Sequence, residues 1–171
     1  MPQVTIVNQQ SDRLCQLVND KLPGVTLVND FNQPFQGGVL CWLPGAHVRV
    51  DEVVQDLVHL VDHSAQQPTK IVMNSIMGTA DDATVEQLQA WYGEDFQNIV
   101  ADHLYAIKMI DELELPYTIV RSLPLTTKSV DRPVMDEGQP VTGDWSNVAA
   151  VATTLAQACD LENYLNQSVG I

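Results

Sequence analysis

Basic residues are scarce. Lys and Arg total 8 against 22 Asp and Glu, so the formal net charge is −14 at pH 7. The few cations are scattered, with no run that could form a patch. Nucleic acids and anionic membranes need a basic surface, so neither is expected as a partner. Long hydrophobic runs are also missing. No stretch of about 18 apolar residues exists, so no spanning helix is expected. The opening MPQVTIVNQQ has neither a basic lead nor the long apolar segment of a secretion signal. Cysteine is limited to Cys15, Cys41 and Cys159, which are far apart and form no CxxC. A disulfide framework or a zinc site is not expected from three such residues. They read as small buried residues of a reducing compartment, with the cytoplasm as the default location. His59 and His63 share a helix face at i, i+4, but no third ligand is positioned beside them, and no metal is expected.

What is present is a folding chain. Of 171 residues, 45% are hydrophobic, enough for a sizeable core in a single domain over residues 1–171. Short apolar runs alternate with amphipathic stretches. Val4–Val7, Val25–Val28, Gly38–Leu43, Lys70–Met73 and Tyr117–Val120 read as strands, and a last strand-like piece covers Gln167–Ile171. Ser11 or Asp12 is placed to cap a helix over Arg13–Leu22. Asp51 is placed to cap a second, running to about His63. A long helical region spans roughly Thr84–Glu114, broken at Gly93, and the last helix runs from Trp145 to about Ala158. This alternation predicts an α/β fold, a doubly wound and mostly parallel sheet with helices on both faces. Ligands of such folds bind beyond the carboxyl ends of the strands. The loops to watch are therefore Asn8–Ser11, Asn29–Phe31, Leu43–His47, Asn74–Thr79 and Arg121–Thr127.

The first of these loops lacks glycine. A dinucleotide turn uses glycines to let the backbone approach the pyrophosphate, whereas here the strand runs into Asn8-Gln9-Gln10-Ser11-Asp12. Capping of the helix by Ser11 or Asp12 is the simpler reading of that turn. Ser75 follows a strand end and is a candidate to hydrogen-bond a carbonyl substrate or cofactor, or an ordinary loop hydroxyl. Tyr105 and Lys108 form a candidate acid–base pair, since a nearby lysine lowers a phenol pKa. Helix geometry opposes it: Tyr105 lies about 160° from Ile107 on the apolar stripe, facing solvent or a partner. Trp91, Tyr92, Tyr105 and Met109 do not all fit one core-facing stripe. They point to a homodimer through the 84–114 region, or to packing of Trp91 and Tyr92 under the Ser75–Asp82 loop.

Several local patterns then coincide in order. Ile71–Ser75 (IVMNS) resembles the strand-plus-serine element of short-chain dehydrogenases. Leu104–Lys108 followed by Leu115-Pro116-Tyr117-Thr118-Ile119-Val120-Arg121 resembles the lysine helix and L-x-Y-T-I-V-R strand of the atypical, NmrA-like NAD(P)H-binding branch. Gly143–Ala149 (GDWSNVA) is similar to a later motif of that branch, and Val28–Asp30 with Gly38–Gly45 to its adenine-side strands. The resemblance covers nearly the whole chain and implies a Rossmann-like fold that binds NAD or NADP. It places Asn8, Gln9, Gln10 and Ser11 at the phosphates, and Asp30 and Phe31 beside the adenine. It puts Leu43, Pro44 and Gly45 along the middle of the cofactor. Ser75 and Lys108 would approach the nicotinamide ribose, with Leu123 and Pro124 over the ring. Ser75, Tyr105 and Lys108 are its catalytic candidates.

The chain also departs from that pattern. The glycine-rich turn is absent, and one strand–helix unit near the N-terminus is shortened or lost. Leu104 stands where the family's tyrosine would be. The expectation is an oxidoreductase-like protein with weak or lost redox activity, acting on a small molecule if active. The alternative is a non-catalytic member on the same fold that binds a nucleotide weakly, or another ligand or protein, as a ligand-sensing or protein-interaction module.

Overall fold

The computed structural model describes residues 2–45 and 47–171. Ala46, inside the expected Leu43–His47 loop, lies outside the described residues. The elements run β1 (Val4–Val7), α1 (Arg13–Lys21), β2 (Thr26–Val28), β3 (Val39–Trp42), α2 (Val50–His63) and β4 (Lys70–Ile76). They continue with α3 (Val85–Tyr92), α4 (Phe96–Glu112), β5 (Tyr117–Ser122), β6 (Leu125–Thr126), β7 (Ser146–Asn147), α5 (Val148–Ala158) and β8 (Gln167–Gly170). Six strands form one sheet in the order β2-β1-β3-β4-β5-β8. Every pairing in it is parallel. β6 and β7 make a separate two-stranded sheet. This is the expected Rossmann-like architecture.

Side-chain alternation builds its two faces. Val4, Ile6, Val39, Cys41, Val72 and Val120 point to one side, where Leu14 and Val18 of α1 and Val151 and Leu155 of α5 cover them. Leu40, Trp42, Ile71, Met73 and Ile119 point to the other side, under Val54 and Leu57 of α2 and Ala106 and Ile110 of α4. All three cysteines are buried and free. The Cys41 thiol is held well above its ordinary pKa by a hydrogen bond with Cys159 and by burial.

Several boundaries differ from expectation. Asp12 is the cap of α1, its carboxylate accepting from the Cys15 N–H at 3.0 Å. α2 begins earlier than expected, at Val50, so Asp51 lies in its first turn and is not the cap. There Asp51 pairs with Arg49 at 2.9 Å. Trp145 precedes the last helix, which Asn147 caps. The break at Gly93 holds, with φ at +80°. β4 and β5 run past Met73 and Val120, because their backbones keep pairing: Ser75 sits opposite Arg121 and Ile76 opposite Ser122. Ser75 is therefore a strand residue, not a loop residue.

Candidate functional site

Chain direction across the sheet reverses between β1 and β3, and parallel α/β folds bind ligands beyond such a point. A cavity of about 580 Å³ opens there, walled by Gln10 and Asp12 after β1, Pro44 and Gly45 after β3, and Asn74–Ile76 of β4. Leu14, His47, Ser122–Leu125, Trp91, Tyr92, Ile99 and His103 complete it. A second hollow of about 660 Å³ lies over residues 130–145. None of the strand-end residues reaches that hollow, so the chemistry belongs to the first.

Strand alternation decides what Ser75 does. It follows Ile71 and Met73 on the α2/α4 side, and α4 crosses above it. His103, on α4, meets it with Nδ1 2.8 Å from Ser75 Oγ. Burial pushes the His103 pKa down to about 4, so its ring is neutral at pH 7. Its Nε2 has no hydrogen-bond partner among the described residues, and no side-chain nitrogen or oxygen is left buried and unpaired. That nitrogen therefore has the cavity as its outlet. In the tautomer in which Ser75 donates to Nδ1, Nε2 carries the proton and offers a donor to a ligand.

The opposite wall is aromatic. Tyr92 donates its hydroxyl to the Met77 carbonyl at 2.8 Å, and burial raises its pKa. Trp91 packs on the cluster of Met77, Leu123 and Val141. Both therefore pack beneath the segment after β4, the second of the two arrangements their sequence allowed. Asn74 faces the α1/α5 side, donating to the Val120 carbonyl and Ser122 Oγ at 3.1 and 3.2 Å.

The phosphate-side residues hold one another. Asn8 is buried, and its Nδ2 donates to the Leu43 carbonyl at 2.9 Å while its Oδ1 accepts from the Gln10 N–H at 3.2 Å. The Gln10 side chain lies against Gly45 so closely that a Cβ at 45 would overlap it. Gln9 and Ser11 are exposed, Ser11 with φ at +47°. Leu43 is part of the core, whereas Pro44 and Gly45 reach the cavity. Asp30 accepts from the Asn32 N–H, and Phe31 is buried edge-on to Trp42 at 5.5 Å. Neither Asp30 nor Phe31 lines the cavity.

Tyr105 and Lys108 are elsewhere. Tyr105 is exposed and its hydroxyl accepts from Gln55 Nε2 at 2.5 Å. Lys108 pairs with Glu112 at 3.6 Å on the solvent side of α4. Neither lines the cavity, because α4 turns its Ile99–His103 edge inward instead. Ser75, Leu123 and Pro124 are brought together as the motifs imply. The residue that sequence reading missed is His103. It stands seven residues before Ile110, which is about 20° away on a helix, so it lies on the buried stripe.

The sequence profile of a family described as NAD(P)H-binding matches residues 37–162. The chain belongs to this NAD(P)H-binding family. Solved structures share the fold of this family member. A short-chain dehydrogenase/reductase (wide type) from Veillonella parvula, in complex with NADP, superposes with a TM-score of 0.73 at 15% identity, over 99% of this chain and 94% of that one. The oxidoreductase ylbE from Lactococcus lactis gives 0.65 at 10%, over 98% and 90%. Gre2 from Candida albicans, in complex with NADPH, gives 0.63 at 10%, over 99% and 78%. At such identities the likeness is one of fold. No curated protein matches the sequence. The NAD(P)H-binding family and the shared fold are those that the YTIVR strand and the serine strand imply.

The cavity fits the nicotinamide end of the family's cofactor and not its pyrophosphate. Ser75 and His103 offer hydrogen bonds beside the apolar Leu123 and Pro124. Gln10 lies across the approach to Gly45, Asp12 adds a carboxylate, and among the described residues no Lys or Arg lines the wall, which also carries His47.

Proposed function

We propose that this protein binds a nicotinamide nucleotide at the ends of β4 and β5, and that its redox turnover is weak or lost. The carrying observation is the Ser75–His103 pair at 2.8 Å inside the cavity, with Tyr105 and Lys108 outside it. The nicotinamide, when bound, is a hydride carrier. The protein's part is to orient and to hydrogen-bond. Ser75 fixes the His103 ring. His103 stays neutral and presents Nε2 to the ring amide, the ribose or a small substrate. Trp91 and Tyr92 bound the remaining space and exclude water from it. A tyrosine proton donor lowered by a neighbouring lysine is not assembled here, which argues for slow turnover. Asp30, on the adenine side, stands where an acidic residue favours an unphosphorylated ribose, so NADPH gains nothing over NADH.

The displacement of Tyr105 and Lys108 favours one second reading, a ligand-sensing or protein-interaction role without turnover. Calorimetric titration with NADH and NADPH, with absorbance at the nicotinamide band read across a panel of small carbonyl compounds, separates the two. Ser75→Ala and His103→Asn should weaken nucleotide binding by about tenfold, the worth of one good hydrogen bond. Lys108→Ala should leave binding unchanged. Rapid turnover that survives Ser75→Ala and His103→Asn, or that Lys108→Ala abolishes, would contradict the proposal.

A further inference from the structure

The two halves of the crevice are built differently. The half at β4 and β5 is open, with hydrogen-bonding groups facing it. At the β1 half, the chain's own Gln10 and Asp12 side chains stand on the wall. Asn8 uses both ends of its amide there, donating to the Leu43 carbonyl at 2.9 Å and accepting from the Gln10 N–H at 3.2 Å. The amide end of the exposed Gln10 side chain then lies on Gly45, across the backbone approach that a glycine at 45 leaves open. Asp12 takes the Cys15 N–H, one of the free donors of the α1 start, and brings a negative charge to the wall. A pyrophosphate laid on this turn would meet the Gln10 amide and a carboxylate, where such folds ordinarily offer glycine backbone and free N–H groups. Farther out, Phe31 is committed to Trp42 and the core. The matched family profile begins at residue 37, after Asn8, Gln10, Asp12 and Phe31.

We propose that Gln10 and Asp12 determine cofactor size: the crevice takes the nicotinamide nucleoside half, and the adenosine diphosphate half of a dinucleotide adds nothing to affinity. This rests on the binding of nicotinamide at Ser75 and His103. Both residues act by occupation and charge, so both effects are reversible. Glycine at 10 clears the approach to Gly45. Asparagine at 12 removes the charge and keeps the cap, since Asn and Asp cap helices equally well.

The test is calorimetric titration of the full chain with reduced nicotinamide riboside and with NADH, on the wild type and on Gln10→Gly/Asp12→Asn. The wild type should bind the two ligands within about fivefold of each other. The double variant should bind NADH about tenfold tighter and the riboside unchanged. Its riboside affinity and thermal unfolding report whether the fold is intact. A wild type that binds NADH about a hundredfold tighter than the riboside would overturn the inference and leave nicotinamide binding standing. So would a folded double variant whose NADH affinity does not move. Failure of both ligands to bind the wild type would overturn the inference together with the reading on which it rests.

Discussion

His103 reaches Ser75 from α4, and burial pushes its pKa from the ordinary 6.5 to about 4. The sign of the consequence is fixed. Between pH 6.5 and 4 the unfolded chain binds a proton at this position that the native chain refuses. Stability tied to His103 is therefore complete above pH 6.5 and falls as pH drops toward 4. The shift corresponds to about 3 kcal/mol at most. Urea unfolding at a series of pH values should show wild type losing more stability than His103→Asn across this window. Parallel curves would contradict it. At this scale the sequence was legible for Ser75 only as one of two readings, a candidate hydrogen-bonding group or an ordinary loop hydroxyl. It was less so for His103, because a histidine on a buried stripe carries no signal of its own until the strand beneath it is known. Tyr105 and Lys108 sat next to each other in a tempting pair, and helix periodicity alone argued correctly that Tyr105 points outward.

The extension of β5 through Arg121 and Ser122 gives the YTIVR segment a structural purpose. Arg121 is buried and pairs with buried Asp82, while its Nε donates to Ser168 Oγ at 2.9 Å on β8. Asp82 also accepts from the Gly78 N–H at 2.7 Å. The pair thus ties the segment after β4, which carries the cavity's Tyr92 contact at Met77, to the last strand. Asp82→Asn leaves a buried guanidinium uncompensated and should cost about 3–5 kcal/mol in denaturant unfolding. The double variant Asp82→Leu/Arg121→Met should cost less than the single change. A single-variant cost below about 1 kcal/mol would show that water reaches the pair. Element types and order were legible here because apolar runs and helical stripes differ in period. Ends were less so: Asn74 and Ser75 look like loop residues until β5 supplies backbone partners and Ser122 supplies a partner for Asn74. The pairing of Arg121 with Asp82 joins residues 39 apart, which local pattern does not reveal.

At the scale of the molecule, β2 is an edge strand with Leu27 exposed, consistent with an N-terminal strand–helix unit shortened or lost. The parallel sheet was legible from alternation, and the crevice from the rule that places ligands at strand ends. That side chains stand where the turn would offer glycine was legible only in part, from the missing glycines, since the hold of Asn8 on Leu43 spans 35 residues. The net charge of −14 acts on any anionic ligand. Raising ionic strength from about 0.01 to 0.15 M shortens the screening length from about 30 to 8 Å, so NADH affinity should rise, and NADPH affinity should rise further. Affinity that falls with salt would mean a basic site.

The central claim is that the nicotinamide end is held at Ser75 and His103. It is tested most directly by the ring-nitrogen resonances of the four histidines during titration with NADH. The account predicts a saturable shift of His103 Nε2, with the exposed His59 and His63 unmoved. Saturable binding that leaves His103 Nε2 where it was would contradict it.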